Sequence, residues 1–220
     1  MGAYPPPEGD VTPRHALVPA GTVLWRVHDR YQPPHQFTDR PAHPYFGGGR
    51  FDGAADDPYP FLYTGATEPT ALTEVLLRDV PFTTDGYRIL PRSGLSDRRL
   101  TALETTTELR MITLESAQDL AAIGQTDWLV QAEPTEFAQT RFWARWLRTR
   151  SDGQGMLWQS RRNRPDRVFV FFGDRCGADT FKPLPARCVP LDTPEGIDYL
   201  NDLLGGYRVR LEPNPVLPAR

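Results

Sequence analysis

The sequence predicts an α+β domain. Predicted strands outnumber predicted helices along the chain, and the two do not alternate as a doubly wound parallel sheet requires. The composition also changes little after residue 21. We therefore expect a proline- and glycine-rich lead-in over residues 1–21 and one domain over residues 22–220.

The first third of this domain predicts two strands and a helix around a long irregular segment. Residues 22–28 are β-prone with alternating character, and residues 61–64 match a short buried strand. Residues 29–60 are rich in Pro, His, Asp and Gly, and a loop of that length is often functional. Thr67 is a suitable N-cap for a helix over residues 68–78.

The rest of the chain predicts a similar mixture of strands and helices. Strand-like segments occur at residues 87–91, in a hairpin over 100–114, and in two paired central strands, 155–160 and 168–173. Helical segments are predicted after the Ser116 and Asp119 capping pair, over residues 135–148, and over 194–204 before two glycines.

Composition excludes several classes of protein. The 220 residues are 39% hydrophobic and 24% charged with a net charge of −3, so we expect no strong attraction to nucleic acid or to anionic membranes. The two cysteines form no CxxC pair and the four histidines no HExxH motif, so neither a disulfide framework nor a metal site is predicted. Without a signal-peptide pattern or a long apolar run, we expect a cytoplasmic protein.

Six polar side chains are candidates for a functional site. They are Arg26 and His28 on the first strand, Arg50 after three glycines, Tyr63 on the second strand, Glu74 in the helix, and Ser160 at a strand end. The glycines before Arg50 match neither a P-loop nor a dinucleotide-binding fingerprint.

The residues alone leave two explanations open for each basic or acidic candidate. Arg26 lies among apolar neighbours, so its charge needs an anionic partner, either a ligand or a structural carboxylate. Arg50 follows glycines that let the backbone approach a ligand, although an isolated loop arginine is equally consistent. Glu74 fits the border of a buried helix face, where it is either catalytic or a solvated helical side chain.

The remaining candidates are open in the same way. Tyr63 could stack on a ligand or pack in the core, and His28 could contact a ligand beside Arg26 or pack. Ser160 could bond a ligand or satisfy local backbone. It is not predicted as a nucleophile, because no Gly-x-Ser-x-Gly elbow or paired histidine is present.

Four segments together resemble the RES domain family: LWRVH, GGRF, LYTGATEPTALTEV and LWQSRR, in that order. The similarity covers about residues 22–191. It implies an ADP-ribosyltransferase-like α+β fold, with central mixed or antiparallel β-sheets flanked by helices. It also implies an enzyme that degrades NAD⁺ by hydrolysis or phosphorolysis, or that transfers ADP-ribose. NAD⁺ is then the substrate and no cofactor is needed. Many members are toxins held by an antitoxin with a DNA-binding region.

The resemblance also implies roles for these residues. Arg26, Glu74 and Ser160 match the three residues that name the family. By this resemblance Arg26 and Arg50 would hold the diphosphate of NAD⁺, Glu74 would stabilise the transition state, and Tyr63 and Ser160, with His28 nearby, would orient nicotinamide and its ribose. Phe51 departs from the pattern, since many relatives carry Trp there.

Eight arginines between Arg141 and Arg167 form a basic region in this mildly acidic chain. We interpret the region as a solvated face, as the helical spacing of its first members suggests. An acidic partner or nucleic acid could bind it instead, and a non-catalytic binding module is therefore an alternative function. The sequence leaves the acceptor of ADP-ribose, the oligomeric state and the existence of an antitoxin open.

Overall fold

The fold is one large curled sheet with helices on its faces. The computed structural model describes residues 5–9, 11–43 and 45–213. The strands within these ranges are β1 (His15–Val18), β2 (Val23–Asp29), β3 (Phe61–Gly65), β4 (Arg88–Leu90), β5 (Arg98–Thr105), β6 (Leu109–Thr113), β7 (Gly155–Gln159), β8 (Arg167–Phe172), β9 (Phe181–Pro190) and β10 (Val209–Leu211). The α-helices are α1 (Glu68–Leu76), α2 (Ala117–Ala122), α3 (Trp128–Gln131), α4 (Phe137–Arg150) and α5 (Pro194–Leu204). None of them is long and apolar enough to cross a membrane.

The large sheet is mixed. In the described chain its strand order is β1-β6-β7-β8-β3-β2-β5-β9, and β4 and β10 form a separate parallel pair. The β6–β7 pair is parallel, whereas the other neighbours in the large sheet are antiparallel. A mixed sheet flanked by helices confirms the predicted α+β class.

The predicted hairpin over residues 100–114 is wrong. This segment supplies β5 and β6, which lie five positions apart in the sheet and pair with other strands. In a flat sheet they would be about 24 Å apart at ~4.8 Å per strand. The chain from Thr105 to Leu109 can span at most about 14 Å. The short connection therefore requires the sheet to curl, bringing its two ends together.

The first strand lies inside the segment that the sequence presents as a lead-in. β1 pairs with β6, with His15 opposite Ile112, and so extends the large sheet. Its four residues carry too weak an alternation to be recognised alone. Residues 1–4 and 10 of the predicted lead-in lie outside the described residues.

Local sequence signals predicted most other elements. The Thr67 side chain caps α1 by accepting a hydrogen bond from the Thr70 N–H, and α1 ends two residues before the expected position. Ser116 and Asp119 form the predicted capping box of α2. The predicted central strands pair as β7 and β8, and α5 has the predicted bounds.

Packing of α1 on the sheet places Glu74 beside the core but outside it. Ala71, Leu72 and Leu76 are buried in one apolar cluster with Trp25 of β2. Glu74 lies on the flank of this buried stripe and is only partly covered. The helix thus presents a carboxylate next to β2 and β3 without burying it completely.

Buried Arg148 joins α4 to two loops and gives the first testable prediction. Its guanidinium donates to Asp174 Oδ2 over 2.7 Å and to Asp57 Oδ2 over 3.2 Å, and lies 3.8 Å from the centre of the Tyr59 ring. Arg148→Met removes these bonds and leaves two carboxylates unpaired. We expect the free energy of unfolding at pH 7 to fall by about 2 kcal/mol, below the usual cost for fully buried pairs because Asp174 is partly exposed.

The loss should shrink in acid. Burial raises the pKa of Asp174, but the hydrogen bonds and charge of Arg148 outweigh it, and the net pKa is lowered from 3.8. The stabilisation is therefore present above the unfolded-state value and is lost as pH falls through the lowered folded-state value. Urea unfolding of the wild type and Arg148→Met at pH 7 and pH 3 measures the loss of unfolding free energy at each pH. Arg145→Met, which breaks an exposed pair with Asp56, is the control. An equal loss at both pH values would contradict the assignment.

Candidate active site

A cleft of about 780 Å³ opens beside β2, β3 and α1. Four predicted site residues line it: Arg26, Arg50, Tyr63 and Glu74. These residues come from two strands, a helix and a loop, and the fold brings them together across 48 positions of sequence. The volume lies within the ~300–1,000 Å³ range typical of small-ligand sites.

Arg26 projects from β2 into the wall of this cleft. Its side chain is buried, and Nη1 donates to the carbonyl oxygens of Pro34 and Gln36 over 2.7 and 2.6 Å. Burial lowers its pKa to about 10, so it remains protonated at neutral pH. No carboxylate in the described chain forms an ion pair with it. The structural-carboxylate explanation for Arg26 is therefore not supported, and the charge that lines the cleft is met in the described chain by backbone carbonyls and by no carboxylate.

Arg50 lines the same cleft and is held in a similar way. It is buried, Nη1 donates to Ala132 O over 3.0 Å, and the guanidinium lies 5.0 Å from the centre of the Phe137 ring. Burial lowers its pKa to about 10, while the nearby charge of Glu74 opposes the shift. Among the described residues it too forms no ion pair. Two buried cations without carboxylate partners make this cleft suited to an anion carrying more than one negative charge.

Glu74 is held by two side chains from one loop. Ser160 Oγ donates to Glu74 Oε1 over 2.6 Å, and Arg162 Nη1 lies 3.3 Å from Oε2. Arg162 also donates to Leu77 O and Arg78 O, the free carbonyls at the end of α1. The carboxylate is thereby fixed in orientation while part of it still faces the cleft.

Ser160 supports Glu74 and does not itself line the cleft. It is fully buried, and its Oγ accepts the N–H groups of Arg162 and Asn163 while donating to Glu74. This hydroxyl is saturated, which agrees with its not being a nucleophile. The geometry favours a positioning role over the direct contact with nicotinamide or ribose that the resemblance implies.

Replacing Ser160 tests this positioning role. In Ser160→Ala, Glu74 loses its hydrogen-bond donor and two loop N–H groups lose their acceptor. With NAD⁺, the substrate that the resemblance implies, we expect kcat to fall by roughly 10- to 100-fold with little change in KM. The free energy of unfolding should fall by about 1–3 kcal/mol. Steady-state kinetics and urea unfolding measure the two effects. A large rise in KM with kcat preserved would show instead that Ser160 contacts substrate.

Tyr63 and His28 are placed differently from each other. Tyr63 lines the cleft, and its hydroxyl accepts the Phe51 N–H over 2.9 Å, which fixes the position of the ring against residues 49–51. His28 is buried: Nδ1 lies 2.9 Å from Asp29 O and Nε2 lies 2.8 Å from Thr101 Oγ1. Both ring nitrogens of His28 are engaged within the protein, which favours packing over ligand contact.

The interpretation of the basic region as a solvated face is wrong for its key members. Arg141 and Arg148 are buried, since α4 turns them toward Gly47 and Asp57 respectively. Others in the region are paired with carboxylates: Arg145 with Asp56, Arg161 with Glu133, Arg162 with Glu74 and Arg167 with Glu115. Because these charges are largely neutralised within the protein, a nucleic-acid surface here loses its main support.

Two residues of the site escape sequence reasoning. Arg162 contacts Glu74, and Asp52 at the cleft accepts the Gly49 N–H at 2.6 Å with its carboxylate Oδ2. Burial raises the pKa of Asp52, opposed by this hydrogen bond. Asp52 lies just beyond the GGRF segment, and Arg162 is the last residue of the LWQSRR segment, where no role is assigned to it. Each follows a predicted site residue by two positions.

Comparison with known proteins identifies the class of the chain. The model of the RES domain family matches residues 23–192, and the chain belongs to the RES domain family. Among solved structures it is similar to a chain of the crystal structure of the M. tuberculosis MbcT–MbcA toxin–antitoxin complex. The TM-score is 0.54 at 16% identity, covering 84% of this chain and 92% of that chain. This likeness confirms the expected fold. No curated protein sequence matches the chain.

Proposed function

We propose that this protein cleaves the bond between nicotinamide and ribose in NAD⁺, using water or phosphate as acceptor. One observation carries the proposal: Arg26, Arg50 and the oriented carboxylate of Glu74 share a single cleft. NAD⁺ combines an anionic diphosphate with a cationic nicotinamide ribose. Its two ends therefore match the two kinds of charge in this cleft, and membership of the RES domain family supports the same substrate.

The chemistry follows from the charges. As the glycosidic bond breaks, its electron pair moves to the nicotinamide nitrogen, which becomes neutral, and positive charge develops on the ribose. An oriented carboxylate stabilises that charge because it is already in place when the charge forms. The acceptor oxygen then bonds to the anomeric carbon and releases a proton. Arg26 and Arg50 would hold the diphosphate through their forked donors.

The remaining cleft residues would orient the substrate. The ring of Tyr63 offers a flat face for nicotinamide. Ser160 and Arg162 would act through Glu74, by restricting the carboxylate to the orientation it has in the structure. A preorganised group costs less reorganisation at the transition state than a mobile one.

Product analysis tests the proposal. Purified protein is incubated with NAD⁺ with and without phosphate, and nicotinamide and the second product are identified. ADP-ribose indicates water as the acceptor, and ADP-ribose 1″-phosphate indicates phosphate. Labelled adenylate on a macromolecule would show ADP-ribose transfer instead. Salt-sensitive nucleic-acid binding without nicotinamide release would favour a binding module.

We further propose that the protein is a cytoplasmic toxin restrained by an antitoxin. An enzyme that depletes NAD⁺ needs an inhibitor in the cell that makes it. The likeness to a chain from a toxin–antitoxin complex supports this arrangement. Co-expression with the product of the neighbouring gene would test it: a genuine antitoxin restores growth and copurifies with the protein.

A further inference from the structure

The glycine segment, residues 47–52, is held by side-chain hydrogen bonds to six of its backbone N–H and C=O groups. Tyr63 Oη accepts the Phe51 N–H, Tyr59 Oη donates to Phe51 O over 2.9 Å, and Asp52 accepts the Gly49 N–H. Such an irregular segment has no strand partner, so side chains must satisfy its backbone. An isolated GGGR sequence predicts a flexible loop. These hydrogen bonds instead give the segment a defined conformation.

Helix α4 places the Arg141 guanidinium against the backbone carbonyl groups of this segment. Arg141 Nη1 donates to Gly47 O and Gly49 O over 2.8 and 3.2 Å, and Nη2 donates to His43 O over 3.0 Å. Its neighbour Thr140 donates to Arg50 O over 2.6 Å. Three carbonyl oxygens thus converge on one buried guanidinium, and the peptide groups around Arg50 are bonded to consecutive residues of one helix.

Steric packing explains why the segment is glycine-rich. Gly48 has a φ of +74°, and a Cβ there would lie 2.8 Å from Ala42 Cβ and 3.3 Å from Arg141 Nη1. A Cβ on Gly49 would clash with Asp52 Oδ1. The segment can close around the Arg141 guanidinium only because these side chains are absent.

We propose that Arg141 is a positioning residue of the active site. It fixes the glycine segment so that Arg50 presents its guanidinium to the diphosphate of the substrate. Arg141 does not itself line the cleft. This inference rests on the proposed function for its substrate, but the restraint on the segment can be measured without any substrate.

The restraint is tested first by hydrogen exchange in Arg141→Lys and Arg141→Gln. Lysine keeps the charge but cannot span three carbonyls with a planar fork, so both variants should loosen the segment. The Gly49 and Phe51 amides should exchange faster than in the wild type. Arg145→Gln, one turn along α4 and exposed, is the control and should leave these amides unchanged. Unaltered exchange in both Arg141 variants would overturn the proposal.

The functional consequence is tested by binding and kinetics. Both variants should bind inorganic pyrophosphate roughly 10- to 100-fold more weakly and show a matching rise in KM for NAD⁺, with a much smaller change in kcat. Since Arg141 acts through Arg50, its effect should largely disappear in an Arg50→Lys background. Additive effects, or wild-type pyrophosphate affinity with a loosened segment, would overturn the positioning role. Thermal unfolding shows whether Arg141→Gln is folded. Arg141→Lys provides a second variant if it is not.

The outcomes also separate the two proposals. A wild-type protein that binds pyrophosphate but releases no nicotinamide would contradict the reaction and keep the positioning role of Arg141. A wild type that does neither would overturn the proposed function and the role of Arg141 in diphosphate binding together. The exchange experiment would then decide only whether Arg141 holds the segment.

Discussion

Replacing Glu74 with glutamine is expected to slow nicotinamide release from NAD⁺ by roughly 10²- to 10³-fold. The amide keeps the shape of the side chain but carries no charge to stabilise the developing cation on the ribose. KM should change much less, because the arginines that would bind the diphosphate remain. Glu74→Ala removes the whole carboxylate and should abolish measurable turnover. Steady-state kinetics with purified variants measures both parameters.

A matched control separates this effect from general damage to α1. Glu68→Gln alters a carboxylate in the first turn of the same helix, outside the cleft, and should retain activity near that of the wild type. Circular dichroism and thermal unfolding should show that both variants fold. A folded Glu74→Gln protein with wild-type turnover would remove Glu74 from the mechanism.

Replacing Arg26 with glutamine should raise KM for NAD⁺ by roughly 100-fold, corresponding to about 2.7 kcal/mol of lost binding. Arg26 is buried and has no carboxylate partner in the described structure, so in the proposed function the diphosphate of NAD⁺ is its counterion. Arg26→Gln removes the charge and keeps a polar side chain at this buried position. Lysine should recover only part of the affinity, because it lacks the planar fork.

The control for Arg26 is a nearby arginine outside the cleft. Arg30 follows β2 and forms an exposed pair with Asp97, so Arg30→Gln should leave KM unchanged. Measuring pyrophosphate affinity alongside KM shows whether the loss lies in anion binding. If Arg26→Gln binds both ligands as the wild type does, Arg26 has only a structural role.

Much of the fold could be predicted because its signals are local. The Thr67 cap of α1 and the capping box of α2 lie within four residues of the groups they satisfy. Strand pairing is not local. The sequence of residues 100–114 suggests a hairpin because two strands lie close along the chain, whereas the curled sheet places β5 and β6 in different pairs. Register and order depend on the whole core.

The same difference between local and non-local information applies to the candidate site. Arg26, Arg50, Tyr63 and Glu74 could be selected by residue type and family resemblance, and the fold brings them to one cleft. The resemblance does not show which side chains hold the site residues in position. Ser160 bonds Glu74 from 86 positions away, and Arg141 bonds Gly49 from 92 positions away. No spacing rule links such pairs, so only the structure shows that these two residues position others.

The most direct test of the proposed NAD⁺ cleavage is nicotinamide release from NAD⁺ by the purified wild-type protein, free of bound inhibitor, beside Glu74→Gln and Glu68→Gln. If Glu74 stabilises the transition state of NAD⁺ cleavage, the wild type and Glu68→Gln should release nicotinamide, and folded Glu74→Gln should release it at least roughly 100-fold more slowly. Absence of nicotinamide release by the folded wild type, with or without phosphate, would contradict the proposed function.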